Sequence, residues 1–245
     1  MEEVINGILI REVETKNIMT KSSLPVGGYS VNPYVGCTHA CKYCYASFMK
    51  RFTGHKEEWG TFLDVKHWPE IKNPKKYAGQ RVVIGSVTDG YNPQEEQFGN
   101  TRKLLEQLIG SDADILICTK SDLVVRDIDL LKKLGRVTVS WSINTLDENF
   151  KNDMDSASSI ERRISAMKTD FEAIFERVKD QCDLFWLENL NLRGSFKKTI
   201  MDYIAGKYPD LVPLYDEIYN KHNRSYFEAL EVKAEKMAKK YDCAF

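Results

Sequence analysis

Three thiols crowd one short loop. Cys37, Cys41 and Cys44 lie in VGCTHACKYCYASF, residues 35–48, with the spacing C-x3-C-x2-C. Six cysteines in 245 residues are too sparse for a disulfide scaffold, and three in one cluster read as metal ligands. Thiolates are soft donors that select zinc, Cu(I) or iron–sulfur clusters. A structural zinc takes four protein ligands. The fourth could be His39 inside the motif or His55 beyond it, yet no second C-x2-C knuckle occurs in the chain. A [4Fe–4S] cluster usually takes four thiolates, so three leave one iron open to a substrate or cofactor. A structural zinc loop stays open as the alternative.

The rest of the composition narrows the class. Thirty-five basic and thirty-six acidic residues leave a formal charge of −1, which is not the footprint of a general nucleic-acid binder, although a local basic patch remains open. The opening MEEVINGILIREVETKN is acidic with a short apolar run, so it reads as neither signal peptide nor membrane span, and no later stretch is long and apolar enough to be one. The expectation is a cytoplasmic chain in which thiols stay reduced.

With Tyr43 directly before its last cysteine, the motif resembles the signature of the radical S-adenosylmethionine (radical SAM) superfamily. The resemblance implies that the three cysteines hold three irons of a [4Fe–4S] cluster. The methionine amino and carboxylate groups of S-adenosylmethionine chelate the fourth. One electron then cleaves the cofactor to a 5′-deoxyadenosyl radical that abstracts hydrogen from a substrate. It also implies that Tyr43 lies near the adenine and that a reductant such as a flavodoxin or ferredoxin supplies the electron.

The family fold is a partial (β/α) barrel, and the pattern of this α/β chain agrees. Residues 31–36 (VNPYVG), 81–87 (RVVIGSV), 114–119 (DILICT), 136–143 (RVTVSWSI) and 182–190 (CDLFWLENL) read as strands. Residues 100–110 and 125–135 read as helices, each ending in glycine. Strands alternating with helices argue for parallel βαβ units, with chemistry at the C-terminal strand ends. Polar groups collect there: GSVTDGYNPQE, TKSD, SWSINTLDE and LENLNLRG. This set resembles the spore photoproduct lyase-like branch, and within it the group called radical SAM mobile pair protein B.

By position, the resemblance implies that Ser86, Thr88 and Asp89 hold the methionine amino group, with Asp89 as a plain turn cap the alternative. Lys120 and Ser140 match positions that contact the methionine carboxylate and ribose side. Strand parity puts Cys118 on the face of Lys120. It is a hydrogen-atom donor there or a small core residue. Glu188 shares a face with Trp186 and contacts substrate or pairs with Arg193. His39 shapes the cluster loop, lies near substrate, or has no task. Cys182 and Cys243 read as structural or free.

The expected organisation is a core over 1–194, with an N-terminal extension, and a helical segment over 195–245 packed on it, interrupted at Pro209 and Pro213. Ile160, Ile164, Met167, Phe171, Ile174 and Val178 step by four and three, as along one amphipathic helix. Relatives in this branch place a further strand there, and its sequence is missing between Thr169 and Asp170. Either the helices are fused and the barrel is short by one strand, or the two residues are not true neighbours. Exposed edges on both adjacent strands favour the second.

The function these readings imply is reductive cleavage of S-adenosylmethionine for hydrogen abstraction. Repair of DNA photolesions is one alternative, and a non-enzymatic iron–sulfur or zinc module is another. A second radical SAM chain or a substrate protein as partner stays open, as does nucleic acid; a membrane is not expected.

Overall fold

The computed structural model describes residues 2–22, 27–143, 145, 147–163, 165–166, 196–221 and 223–240. The expected strand over 182–190, with Cys182, Trp186 and Glu188, lies outside them. So do Arg193, Cys243 and the Thr169–Asp170 junction. The chain forms two compact units: residues 1–41 with 46–170, and residues 42–45 with 171–245.

The first unit carries two sheets. In one, β1 (Glu2–Ile5) pairs antiparallel with β2 (Ile8–Glu14). The turn between them is Asn6-Gly7, with φ of 49° and 78°, the left-handed pair that a two-residue hairpin needs. The second sheet contains β3 (Thr20–Lys21) and β4 (Tyr29–Val31). The short β5 (Tyr34–Val35) returns to the first sheet, antiparallel to β6 (Phe62–His67), which in turn lies parallel to β2. The expected strand over 31–36 is therefore two pieces in different sheets. Pro33 lies between them and has no N–H to donate to a ladder.

Next come β7 (Arg81–Ile84), helices α1 (Glu95–Phe98) and α2 (Asn100–Leu108), β8 (Asp114–Thr119), α3 (Ile128–Leu131) and β9 (Arg136–Trp141). Strands β4, β7, β8 and β9 run parallel and lie side by side in chain order. That sequential winding is the wall of a (β/α) barrel; a doubly wound sheet would reverse its order. The β8 boundaries are those expected. The helix expected over 125–135 instead begins as a 3-10 turn at Asp122, because Ser121 Oγ accepts from Leu123 N at 3.2 Å.

Parity assigns the two sheet faces. Val31, Val82, Ile84, Ile115 and Ile117 pack with Leu104, Leu105 and Leu108 of α2 and with Val124, Leu130 and Leu131. Each such side chain contributes about 1.5–3 kcal/mol on burial. The opposite face carries Ser30, Val83, Leu116 and Thr138 in one register row, and Cys118 opposite Ser140 in the next. Helices cover the first face, so the second is the barrel interior. Helix α4 (Glu148–Met154) follows, capped by Asp147, whose Oδ1 accepts from Asn149 N and Phe150 N.

The described part of the second unit is helical, as expected, over α5 (Phe196–Lys207), α6 (Val212–Tyr219) and α7 (Ser225–Lys240). Pro213 starts α6 rather than breaking a helix, since the first turn has no use for its missing N–H. Ile200, Ile204 and Ile218 are buried, and Tyr215, Tyr219 and Phe227 form successive ring contacts of 5.7 and 6.2 Å. Among the described residues no helix is long and apolar enough to cross a membrane.

Candidate functional site

The cysteine loop begins with a backbone constraint. Gly36 has φ of 89°, and a Cβ there would lie 2.4 Å from Phe62 O, so only glycine lets the chain turn this close to β6. Cys37 N-terminally anchors the loop and is buried, while Cys41 and Cys44 are half-buried; none is in a disulfide. Burial pushes the Cys37 thiol above its ordinary range, and the charges of Asp89 and Cys41 add to that. Such a thiol ionises when a cation takes the proton's place. Tyr43 and Cys44 fall in the 42–45 segment of the second unit, where Lys42 Nζ stands 5.0 Å over the Tyr203 ring.

The loop after β7 buttresses this one. Thr88 Oγ1 donates to Gly36 O, and Thr38 Oγ1 donates to Gln94 Oε1. Ser86 Oγ bonds Ser30 Oγ and accepts from Asn32 Nδ2 at 3.0 Å. Asp89 is buried and accepts from His39 Nε2 at 3.0 Å, Lys120 N at 2.7 Å, Thr119 Oγ1 at 2.9 Å and Tyr91 N at 2.9 Å. Burial alone would raise its pKa, but His39 and the backbone donors more than offset this and hold the carboxyl below the usual range. Its turn-cap reading holds, through Tyr91 N, and its oxygens also tie down two other segments. The reading of His39 as a loop histidine without a task gives way: it is buried and shapes the cluster loop.

His55, the other histidine offered as a zinc ligand, is committed elsewhere. Its Nδ1 faces Glu57 Oε2 at 3.0 Å and its Nε2 faces Asp64 Oδ1 at 2.8 Å, where Arg11 Nε also donates. Cys118 is half-exposed on the interior face of β8, Lys120 is half-exposed just past the end of that strand, and Ser140 is exposed on β9. Cys118 is thus outside the apolar core. Gly85, with φ of 94°, lets the loop after β7 pass beside β8: a Cβ there would meet Cys118 O at 2.5 Å.

Sequence reasoning missed Thr38 and Gln94, and beneath them Glu95. The Glu95 carboxylate accepts from Tyr34 Oη, Thr101 N and Arg126 Nη2. The run QE, in TDGYNPQE, was the available signal, but its partners lie far away in sequence.

A sheet wound in chain order, with the cysteine loop fastened at Gly36 and His39 to the loop after β7, is a partial (β/α) barrel with its candidate site at the strand ends. The chain belongs to the radical SAM superfamily, whose profile matches residues 31–189. Members of that family use a [4Fe–4S] cluster and S-adenosylmethionine. The chain is similar to an uncharacterized protein of Methanocaldococcus jannaschii, 34% identical over 236 residues, covering 87% of this chain and 88% of that one. It is similar also to an uncharacterized protein of Mycobacterium bovis, 25% identical over 287 residues, covering 98% and 83%. That alignment is longer than the 245 residues of this chain, so the relative carries positions with no counterpart here. The fold is similar to a spore photoproduct lyase complexed with dinucleoside spore photoproduct, at a TM-score of 0.50 and 19% identity. A spore photoproduct lyase variant with bound AdoMet and the same dinucleoside gives 0.50 and 16%. The match covers 67% of this chain and 48% of the lyase chain, so this chain spans about half of the lyase.

The residues fit the family's cluster. Cys37, Cys41 and Cys44 are soft donors outside any disulfide, and His39 Nδ1 is a buried polar atom with no hydrogen-bond partner among the described residues. No Asp or Glu occurs from Lys16 to Lys56, so the segment is locally basic, which suits an anionic centre. Among the described residues no three His, Cys, Asp or Glu side chains gather around a point for one metal ion. A cluster does not require that, because each of its thiolates reaches a different iron.

Proposed function

We propose that this protein is a radical SAM enzyme whose cluster is held by Cys37, Cys41 and Cys44. When bound, the cluster and S-adenosylmethionine supply one-electron cleavage of the sulfonium to a 5′-deoxyadenosyl radical that abstracts hydrogen from the substrate. The chain's own residues bind and orient. Thr88 donates its hydroxyl proton to Gly36 O, which leaves its oxygen lone pairs to accept from the methionine ammonium. Ser86 stands beside it. Asp89 already accepts four hydrogen bonds, the capacity of a carboxylate, so it positions its neighbours instead of binding the amine. Lys120 offers a compact positive charge to the methionine carboxylate from just past the C-terminal end of β8. Ser140 lines the ribose side and Tyr43 the adenine. Cys118 would give its thiol hydrogen atom to the substrate radical, and one electron from the reductant protein with a proton from solvent would return the thiyl left on its sulfur to the thiol. The acid-free stretch from Lys16 to Lys56 favours an acidic electron-transfer protein of the flavodoxin or ferredoxin kind as reductant.

The observation that carries this reading is the fastening of the cysteine loop to the strand-end loops by Thr88 and by Asp89 with His39. Anaerobic reconstitution with iron and sulfide, then dithionite and S-adenosylmethionine, tests it. Release of 5′-deoxyadenosine is expected. An iron-loaded chain that releases none, or a colourless chain that takes up only zinc, overturns it.

A further inference from the structure

Asp89 joins three segments that are distant in sequence. From the cluster loop it accepts His39 Nε2; from β8 it accepts Thr119 Oγ1 and Lys120 N; from its own loop it accepts Tyr91 N. A carboxylate can only accept, so the His39 proton sits on Nε2. The residue is 8% exposed and His39 2%, so water does not compete for these bonds. His39 also accepts from Ser156 N at 2.8 Å through its carbonyl oxygen, which fixes the loop at a second point. One carboxylate therefore sets both where the loop bearing Cys37 and Cys41 stands and where the backbone of Lys120 stands.

We infer that His39 and Asp89 form a positioning latch that couples the cluster site to the S-adenosylmethionine site, so that disturbing either end of the latch is felt at the other. This rests on the radical SAM reading. Neither residue touches the reacting atoms; both act through the segments they hold. Coupling of this kind is reciprocal for the two bound groups: if the cluster strengthens S-adenosylmethionine binding through the latch, bound S-adenosylmethionine strengthens the hold on the cluster by the same factor.

The test uses the full chain, reconstituted anaerobically, with two readouts other than turnover. One is the affinity for S-adenosylmethionine by calorimetry. The other is the rate at which iron is lost to a chelator. In His39→Gln the side-chain amide reaches the place of Nε2 and keeps the bond to Asp89; in His39→Asn it reaches only the place of Nδ1. His39→Asn should bind S-adenosylmethionine on the order of tenfold to a hundredfold more weakly, as for loss of a hydrogen bond to a charged group, while His39→Gln stays near wild type. Thr119→Val removes one hydrogen bond to Asp89 from the β8 side without touching the cysteine loop, and should speed iron loss about fivefold, as for loss of one typical hydrogen bond. The reverse order of the two His39 variants moves the role to Nδ1 and overturns the latch. Unchanged iron loss in Thr119→Val also overturns it, and that variant decides the matter should His39→Asn fail to load iron. A wild-type chain that binds neither iron nor cofactor refutes the family chemistry instead, which separates the two failures.

Discussion

Ile115, Ile117 and Thr119 of β8 are buried, whereas Leu116 and Cys118, one residue out of step, stay half-exposed on the other face. The first face meets α2 and α3 through apolar side chains, and at its end Thr119 donates to Asp89. The second carries the Cys118 thiol and, across the register, the hydroxyl of Ser140. From Ile115 to Cys118 the strand supplies the apolar core with its odd residues and the candidate site with its even ones, while Thr119, at its end, bonds to Asp89. A substitution's consequence depends on parity more than on position along the chain.

The largest effect should come from the cysteine loop. Cys37→Ala, Cys41→Ala or Cys44→Ala should each abolish the brown chromophore of the reconstituted chain or leave it unable to cleave the cofactor. Cys118→Ala should keep its iron. Iron analysis and visible absorption check this, and loss of iron in Cys118→Ala with retention in Cys41→Ala would reassign the cluster.

Stability separates the two faces next. Ile117→Ala removes a fully buried side chain and should lower unfolding free energy by about 2–5 kcal/mol. Its neighbour Cys118→Ala should change it by less than about 1 kcal/mol. Denaturant titration compares them directly; equal losses would erase the distinction between the faces.

Cofactor affinity should separate them in the opposite sense. Lys120→Ala should leave the fold intact and weaken S-adenosylmethionine binding by about 1.5–3 kcal/mol, on the order of tenfold to a hundredfold. Ser140→Ala should lose less, about 0.5–1.5 kcal/mol, as for a neutral hydrogen bond. Calorimetry on both variants reads the order, and unchanged binding removes either residue from the site.

Much of this was legible in the sequence because it is local. The run DILICT alternates cleanly enough to fix β8, and the leucines of α2 mark its buried stripe. The cysteine spacing announced the site before any fold was in hand. What escaped were contacts between distant residues. Nothing near Asp89 in the chain reveals that Thr119 and Lys120 will donate to it, so its sequence neighbours suggest a turn cap and no more. The strand at 31–36 was misplaced because Pro33 divides a stretch that reads as continuous. The N-terminal hairpin was passed over, although Asn6-Gly7 between apolar residues is a hairpin signal. Its strand β1 is mostly exposed and carries little periodicity to notice.

The parallel pairings differ in how much chain they must close. Within the second sheet Tyr29 meets Val82 across a longer stretch than separates Val82 from Ile115 or Ile115 from Val137, and the cysteine loop hangs inside that span. Closing entropy grows slowly, by about 0.6 kcal/mol per doubling of length, yet it favours a definite order of events. During folding, β8 and β9 should zip before β4 and β7 meet. Two amides report this: Ser142 N, which donates to Thr119 O, and Gly85 N, which donates to Val31 O. In pulse-labelled hydrogen exchange Ser142 should gain protection before Gly85, and the opposite order would show that the longer closure comes first. A refolding chain therefore carries the thiols of its cysteine loop for a time before the supports of that loop are in place, and they are most open to oxidation in that interval.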